Sequence, residues 1–469
     1  MIKDIRGILY FVALLMLPGM TNAQSMDEAK EMYLAGDYAG ALPVFEEALA
    51  AKPKDPSLNQ WVGVCLLRDG KAEDAKKYLE FANTKGIVEA PRYLAEIAFG
   101  DYDFDAAQSY IEKYEKGLKR SKKPMPEEIE ALSAKIDRAK SMLERVEKIV
   151  VIDSIAVDRD EFFKAFRLSP ESGSINSPEV LPSEWDYARP TTVFMPETKE
   201  TMIWAAPDSM ENFVLMSSTQ LFDGGWDTPH SLGDVLNENG GDSNYPFMMP
   251  DGITLYYAND GEESLGGYDI FITRKMEDGF LQPQNLGMPY NSPYDDYLLA
   301  IDEVTGVGWW ATDRNQLGDY ITIYKFIPSD LRVNYEMDAP DLIDKAKVSS
   351  YKSTWEEGED YSDILAAVDA IDPDAKAVKD DFRFAMPGGR IYRRWDDFKS
   401  RKARNLMEKY LEQVESSRNA ETLLKTLRLQ YGEGKTSLGD QILKLEKQIE
   451  NNNNKLQSMI NDIVRAEGL

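Results

Sequence analysis

The 469-residue chain is poor in the side chains that carry most nucleophilic and metal chemistry: it holds one cysteine, Cys65, and one histidine, His230. A lone cysteine forms no intrachain disulfide, so the fold must stand on packing. One histidine excludes a metal centre with several histidine ligands, and serine or cysteine catalysis would have only His230 as its usual base. No Gly-x-Ser-x-Gly elbow occurs. Positive charge is also scarce. Between Lys199 and Arg274 there is no basic residue against 13 acidic ones, and residues 151–340 carry 33 Asp and Glu against 10 Lys and Arg, a local balance of -23 within a net charge of -28. Such a field repels nucleic acid and anionic lipid, which leaves a cationic protein surface or a divalent cation as the attracted partners.

Long apolar runs are missing as well. The longest, Gly7–Leu17, has eleven residues, whereas a membrane helix needs roughly 20. With Lys3 and Arg6 ahead of it and Thr21-Asn22-Ala23 behind, it reads as a secretory signal cleaved after Ala23. The first mature residue would be Gln24, not the cysteine of a lipid-anchored protein. The expectation is a periplasmic protein without a membrane helix, with secretion or outer-membrane association as the alternative.

What the sequence does contain is repetition. Gly36, Ala41, Phe45, Ala48 and Pro53 stand at repeat spacings, and the first four recur 34 residues later as Gly70, Ala75, Leu79 and Ala82, while a compressed third copy runs from Gly100 to Tyr114. Small residues let paired helices approach while Phe45 and Leu79 fill the gaps between pairs. The pattern resembles the tetratricopeptide repeat, which implies a concave groove for a peptide or helix. Trp61, Cys65 and Tyr93 read as core, and a helix predicted over about 127–148 caps the array.

A second repeat follows. Phe194 and Phe247 stand 53 residues apart. Ser231-Leu232-Gly233 and Asn285-Leu286-Gly287 stand 54 apart, as do Gly225-Trp226 and Gly279-Phe280. A third copy begins at Gly306. Strand, Pro250-Asp251-Gly252 turn, strand and Tyr268-Asp269-Ile270 strand resemble the WD-type, TolB-like β-propeller blade. Three copies leave the ring short, and the hairpin predicted at 380–398 around Pro387-Gly388-Gly389 is the candidate to complete it. The fold class expected is multidomain α plus all-β: a helical array over 24–148, a propeller over 149–335, a linker over 336–379, that hairpin, and a helical hairpin or coiled coil over 399–469. Leu438, Ile442, Leu445, Ile449, Asn452, Leu456, Met459 and Ile463 alternate steps of four and three, with Asn452 as the polar member that fixes register. Gly434-Lys435-Thr436 only imitates a phosphate loop, since Leu429 stands where the first glycine belongs.

For chemistry, Asp260, Glu262, Glu263 and Asp269 form the one carboxylate cluster to consider for calcium, though without an Asp-x-Asp-x-Asp-Gly register. Trp204, Trp226, Trp309 and Trp310 read as space fillers between strands, with a carbohydrate platform as the alternative. The combination of signal, helical repeats and blades resembles PorE-type periplasmic envelope proteins. Those add an OmpA-like module, where residues after 399 here read as a helical hairpin. The resemblance implies a non-enzymatic scaffold or adaptor with no cofactor. It would bind envelope proteins, outer-membrane or secretion components among them, and could self-associate through its C-terminal helices. The alternatives are a glycan-binding propeller, a carboxylate-dependent glycosidase, or a calcium-responsive sensor.

Overall fold

The structure, a computed structural model, describes residues 25–468 except 186–190, 222–223, 239, 330, 357, 373–380, 383, 387–389, 393 and 433–434. The segment expected as a signal, the Pro387-Gly388-Gly389 turn and Gly434 lie outside the described residues. The chain divides into two compact units, residues 1–376 and 377–469.

The first unit opens with seven helices: α1 (Met26–Leu34), α2 (Tyr38–Ala51), α3 (Pro56–Arg68), α4 (Ala72–Thr84), α5 (Ala90–Gly100), α6 (Phe104–Ser121) and α7 (Glu127–Leu143). Aspartates start several of them. Asp37, Asp55 and Asp103 accept backbone N–H groups at the heads of α2, α3 and α6, replacing partners that a helix start lacks. The repeat positions are packing positions: Ala41, Phe45, Ala75, Leu79 and Ala82 are wholly buried and Ala48 is half-buried. Gly36 and Gly70 turn the chain with φ of 85° and 74°. In the compressed third copy Tyr102 takes that left-handed turn at φ 63°, a conformation costly for any residue with a Cβ. Its ring is buried in the core that α5–α7 share with later segments.

That shared core corrects the predicted extent of α7, which stops at Leu143. Beyond it the backbone joins the sheet region, with Glu147 N–H donating to the Met288 carbonyl and Lys148 N–H to that of Val333. Leu265 and Met288, from loops of the sheet region, are buried among Ala95, Phe99, Ile129 and Ile136.

Three antiparallel sheets follow. Strand β1 (Val150–Asp158) precedes the first sheet, whose order is β2 (Ser174–Asn176), β3 (Val193–Met195), β4 (Thr201–Pro207), β5 (Phe213–Thr219) and β6 (His230–Ser231). The second comprises β7 (Ser243–Met248), β8 (Thr254–Asn259), β9 (Asp269–Met276), β10 (Gly279–Phe280) and β11 (Gln284–Asn285). The third holds β12 (Asp296–Asp302), β13 (Val307–Leu317) and β14 (Tyr320–Ile327), and its outer position is filled by β1, with Val150 opposite Ile327. Strand β7 packs on β4 and β5, and β12 on β7 and β8. The repeat shows in the turns: Gly252 and Gly306 enter β8 and β13 with φ of 66° and 70°, while Lys199, where a glycine was missing, does the same before β4 at φ 55°.

The segment expected as a linker is packed. Helix α8 (Leu342–Lys347) buries Leu342 and Ala346 in the helical core. Trp355 donates its indole N–H to the Val151 carbonyl, and α9 (Ser362–Asp369) buries Val368 against the sheets. In the second unit β15 (Phe384–Met386) and β16 (Arg390–Tyr392) pair with each other as a two-stranded sheet. Phe384, Met386 and Tyr392 pack on Ala403, Met407 and Ile463 of α10 (Arg401–Gly432) and α11 (Gly439–Glu467). The hairpin thus belongs with these helices, and the added strand of the third sheet is β1. The two helices run antiparallel: Ile463 meets Met407, Lys455 reaches Gln413, and Arg428 reaches Glu446.

Candidate functional site: the seam between the third and first sheets

The sheets are tied by a recurring aspartate pair. Asp242, ahead of β7, accepts the N–H of Phe213 at the start of β5 at 2.8 Å and donates its own N–H to Asp260 Oδ1 at 2.6 Å. Asp295, ahead of β12, accepts the N–H of Tyr268 just before β9 at 2.8 Å, and its N–H meets Asp313 Oδ1 at 2.9 Å. The pairs stand 53 residues apart, so one latch joins the first sheet to the second and the other joins the second to the third. The positions 53 residues before Asp242 and Asp260 are Arg189 and Pro207, which offer no carboxylate.

The connection from third sheet to first is therefore built differently, by the segment between β1 and β2. The Arg159 guanidinium donates to the Tyr297 hydroxyl at 2.5 Å and to the Gly318 carbonyl at 3.3 Å, and pairs with Asp313 at 3.4 Å. Farther along, Ser169 and Ser172 donate to Asp302 Oδ1 at 2.5 and 2.7 Å. Beside the Arg159 tie lies a cavity of about 590 Å³, lined by Arg159–Lys164, Ser177–Glu179, Thr191, Thr192, Tyr245, Tyr297 and Ile321.

Local backbone aims the two tyrosines. In β7 the pairing skips between Asn244 and Phe247, and in β12 between Asp296 and Leu299, so Tyr245 and Tyr297 are the first residues of matching bulges. Tyr245 sits at φ 51°, and the two rings meet edge to face at 5.7 Å. Behind Tyr297, burial and the neighbouring Asp295 push the Asp313 carboxyl up to about 6. Burial likewise pushes the Tyr245 phenol up to about 12. Both shifts favour the neutral form; at neutral pH the Tyr245 phenol is neutral, while Asp313 stays largely ionised beside Arg159.

The calcium candidates do not converge. Asp269 is fully buried and accepts the N–H groups of Leu265 and Gly266 and the Asn285 amide. Burial and the neighbouring Asp296 push it up to about 7. Asp260 belongs to the latch, and Glu262 and Glu263 are exposed. Among the described residues no group of three or more His, Cys, Asp or Glu is placed to hold a metal ion. The Pro250-Asp251-Gly252 turn is structural, Asp251 accepting the N–H groups of Ile253 and Thr254, and Tyr268 packs against Tyr245. Trp204, Trp309 and Trp310 are buried in the strands' interior and Trp226 is half-buried, so none is an open platform. His230 is exposed on edge strand β6, and burial pushes the Cys65 thiol up to about 12, which holds it as the inert thiol.

Sequence reasoning missed Arg159, Thr192, Tyr245 and Tyr297, which come from segments far apart in the chain. The aspartate latches did leave a signal, since Asp242 and Asp295 repeat at the same 53-residue offset as Phe194 and Phe247. A search of curated proteins returned no match to this chain. Residues 32–81, from the end of α1 through most of α4, match the tetratricopeptide repeat family, so the chain carries tetratricopeptide repeats at its N-terminal end.

Proposed function

We propose that the protein is a non-enzymatic periplasmic adaptor in which the tetratricopeptide array and a propeller-like set of blades act as one rigid support for protein partners. The observation that carries this reading is the core shared by the two regions. Leu265 and Met288 are buried among the side chains of α5–α7, Lys135 donates to the Gly266 carbonyl and Arg138 to that of Ser264. Tetratricopeptide repeats generally mediate protein–protein contact, and no helix among the described residues is long and apolar enough to cross a membrane. The 53-residue recurrence of the latches supports reading the sheets as blades.

The test has two arms. N-terminal sequencing of protein recovered from the periplasm should give Gln24 as the first residue. Affinity capture from detergent-solubilised envelope should yield a stoichiometric protein that is lost on charge reversal of exposed residues of α1–α4 and kept on Glu262→Gln. Recovery in the cytoplasm with an intact N-terminus, or glycan hydrolysis abolished by one carboxylate substitution, would overturn the proposal.

A further inference from the structure

We infer that the seam cavity binds a neutral saccharide of one or two rings. Its volume of about 590 Å³ falls within the roughly 300–1,000 Å³ of small-molecule sites, and its walls combine two kinds of surface. Phe163, Tyr245 and Tyr297 supply aromatic surface, against which the C–H face of a pyranose packs. Thr192, which is 1% exposed, supplies a hydroxyl that has no hydrogen-bond partner among the described residues. A buried orphan hydroxyl costs free energy unless a ligand group meets it. The left-handed backbone of Tyr245 is a second cost that places a tyrosine at this wall.

Charge narrows the ligand class. The surrounding field of -23 over residues 151–340 opposes anions. In the lining Arg159 and Lys164 stand beside Asp160, Glu161 and Glu179, Lys164 tied to Glu161 at 2.6 Å and Arg159 to Asp313 at 3.4 Å, so the wall carries no unbalanced cluster of either sign and suits a neutral, hydroxyl-rich molecule. Two carboxylates behind the wall are already engaged: Asp295 and Asp313 lie 3.3 and 3.4 Å from the Tyr297 hydroxyl, which also accepts from Arg159. They orient that hydroxyl and do not line the cavity, and the carboxylates that do, Asp160, Glu161 and Glu179, are all exposed, so no buried acid is placed in the wall beside a nucleophile to cleave a bound sugar. This reading is independent of the adaptor proposal.

The experiment is calorimetric titration of the full mature chain with maltose, cellobiose, lactose and chitobiose, with digalacturonate and a Lys-Arg dipeptide as charged comparators. At least one neutral disaccharide should bind more tightly than both comparators. Phe163→Ala should weaken that binding about tenfold, and Thr192→Val, which removes the orphan hydroxyl at nearly constant shape, should weaken it about threefold or more without lowering Tm. The Tm readout separates loss of contact from loss of fold. No neutral disaccharide binding at about 10 mM, tighter binding of either charged comparator, or binding indifferent to both substitutions would overturn the inference.

Discussion

The two halves of the helical array solve the same packing problem with different neighbours. Helices α1–α4 close a core from their own residues, Phe45, Val62, Cys65 and Leu79 among them, with Tyr93, Leu94 and Ile97 of α5 at its edge. Helices α5–α7 do not: their core takes in Leu265, Met288, Leu342 and Ala346 from segments more than a hundred residues downstream. The first half is a stackable repeat whose core is closed mainly by its own residues. The second half has spent its equivalent surface on its own chain. The family match, which stops at residue 81, ends within the first half, where sequence still obeys the repeat.

The sharpest way to break this comparison is Arg314→Leu. Arg314 is buried, donates to the carbonyls of Pro289 and Tyr290, and pairs with the wholly buried Asp296 at 2.8 Å. Stranding Asp296 should cost about 3–5 kcal/mol. Denaturant unfolding should show the loss, and adding Asp296→Asn should recover part of it. Next, Leu265→Ala should cost about 3 kcal/mol by opening a cavity between array and sheets. If the halves differ as described, fluorescence of Trp61 in α3, isolated by replacing the other tryptophans, should then report a transition later than that of the sheets. A single coincident transition would show the two halves to be one cooperative unit.

A smaller effect should appear with pH. Asp269 titrates near 7 in the folded protein against about 3.9 unfolded. The native state therefore holds its proton more tightly, and this group's contribution to stability is full below about pH 4, declines as pH rises through 7, and is level above that. Asp269→Asn should flatten the Asp269 component in chemical unfolding at pH 5, 7 and 8; an unchanged slope would place the titration elsewhere. The smallest effect belongs to the second unit. Asn452, on the predicted seam of α11, has a buried side-chain nitrogen without a hydrogen-bond partner among the described residues. Asn452→Leu should stabilise the helical hairpin by about 1 kcal/mol, seen in thermal melts of the full chain.

Legibility followed the locality of the signal. Gly36 and Gly70, Phe45 and Leu79 declare their role because helix pairs repeat within 34 residues, and the Asp251 turn does so because its hydrogen bonds stay within three residues. The packed segment 342–371 could not be read, since its buried residues Leu342, Ala346 and Val368 acquire meaning only against distant partners. Tyr102 in a left-handed turn was equally hidden, because the burial that holds it there comes from outside the repeat. The cavity was least legible of all. Two bulges, a connector and the ends of two other segments form it, and no window of sequence contains them together.

The pairing of β1 with β14 also sets an order of events. Val150 lies opposite Ile327, 177 positions further along, so the third sheet stays incomplete until nearly the whole region has left the ribosome or a translocation pore. Closing so long a loop is entropically costly and slow compared with forming the helix pairs. The α1–α4 core can therefore form while the rest of the chain is still in transit. Any truncation before residue 320 leaves β1 as an unpaired edge, open to the strands of other molecules.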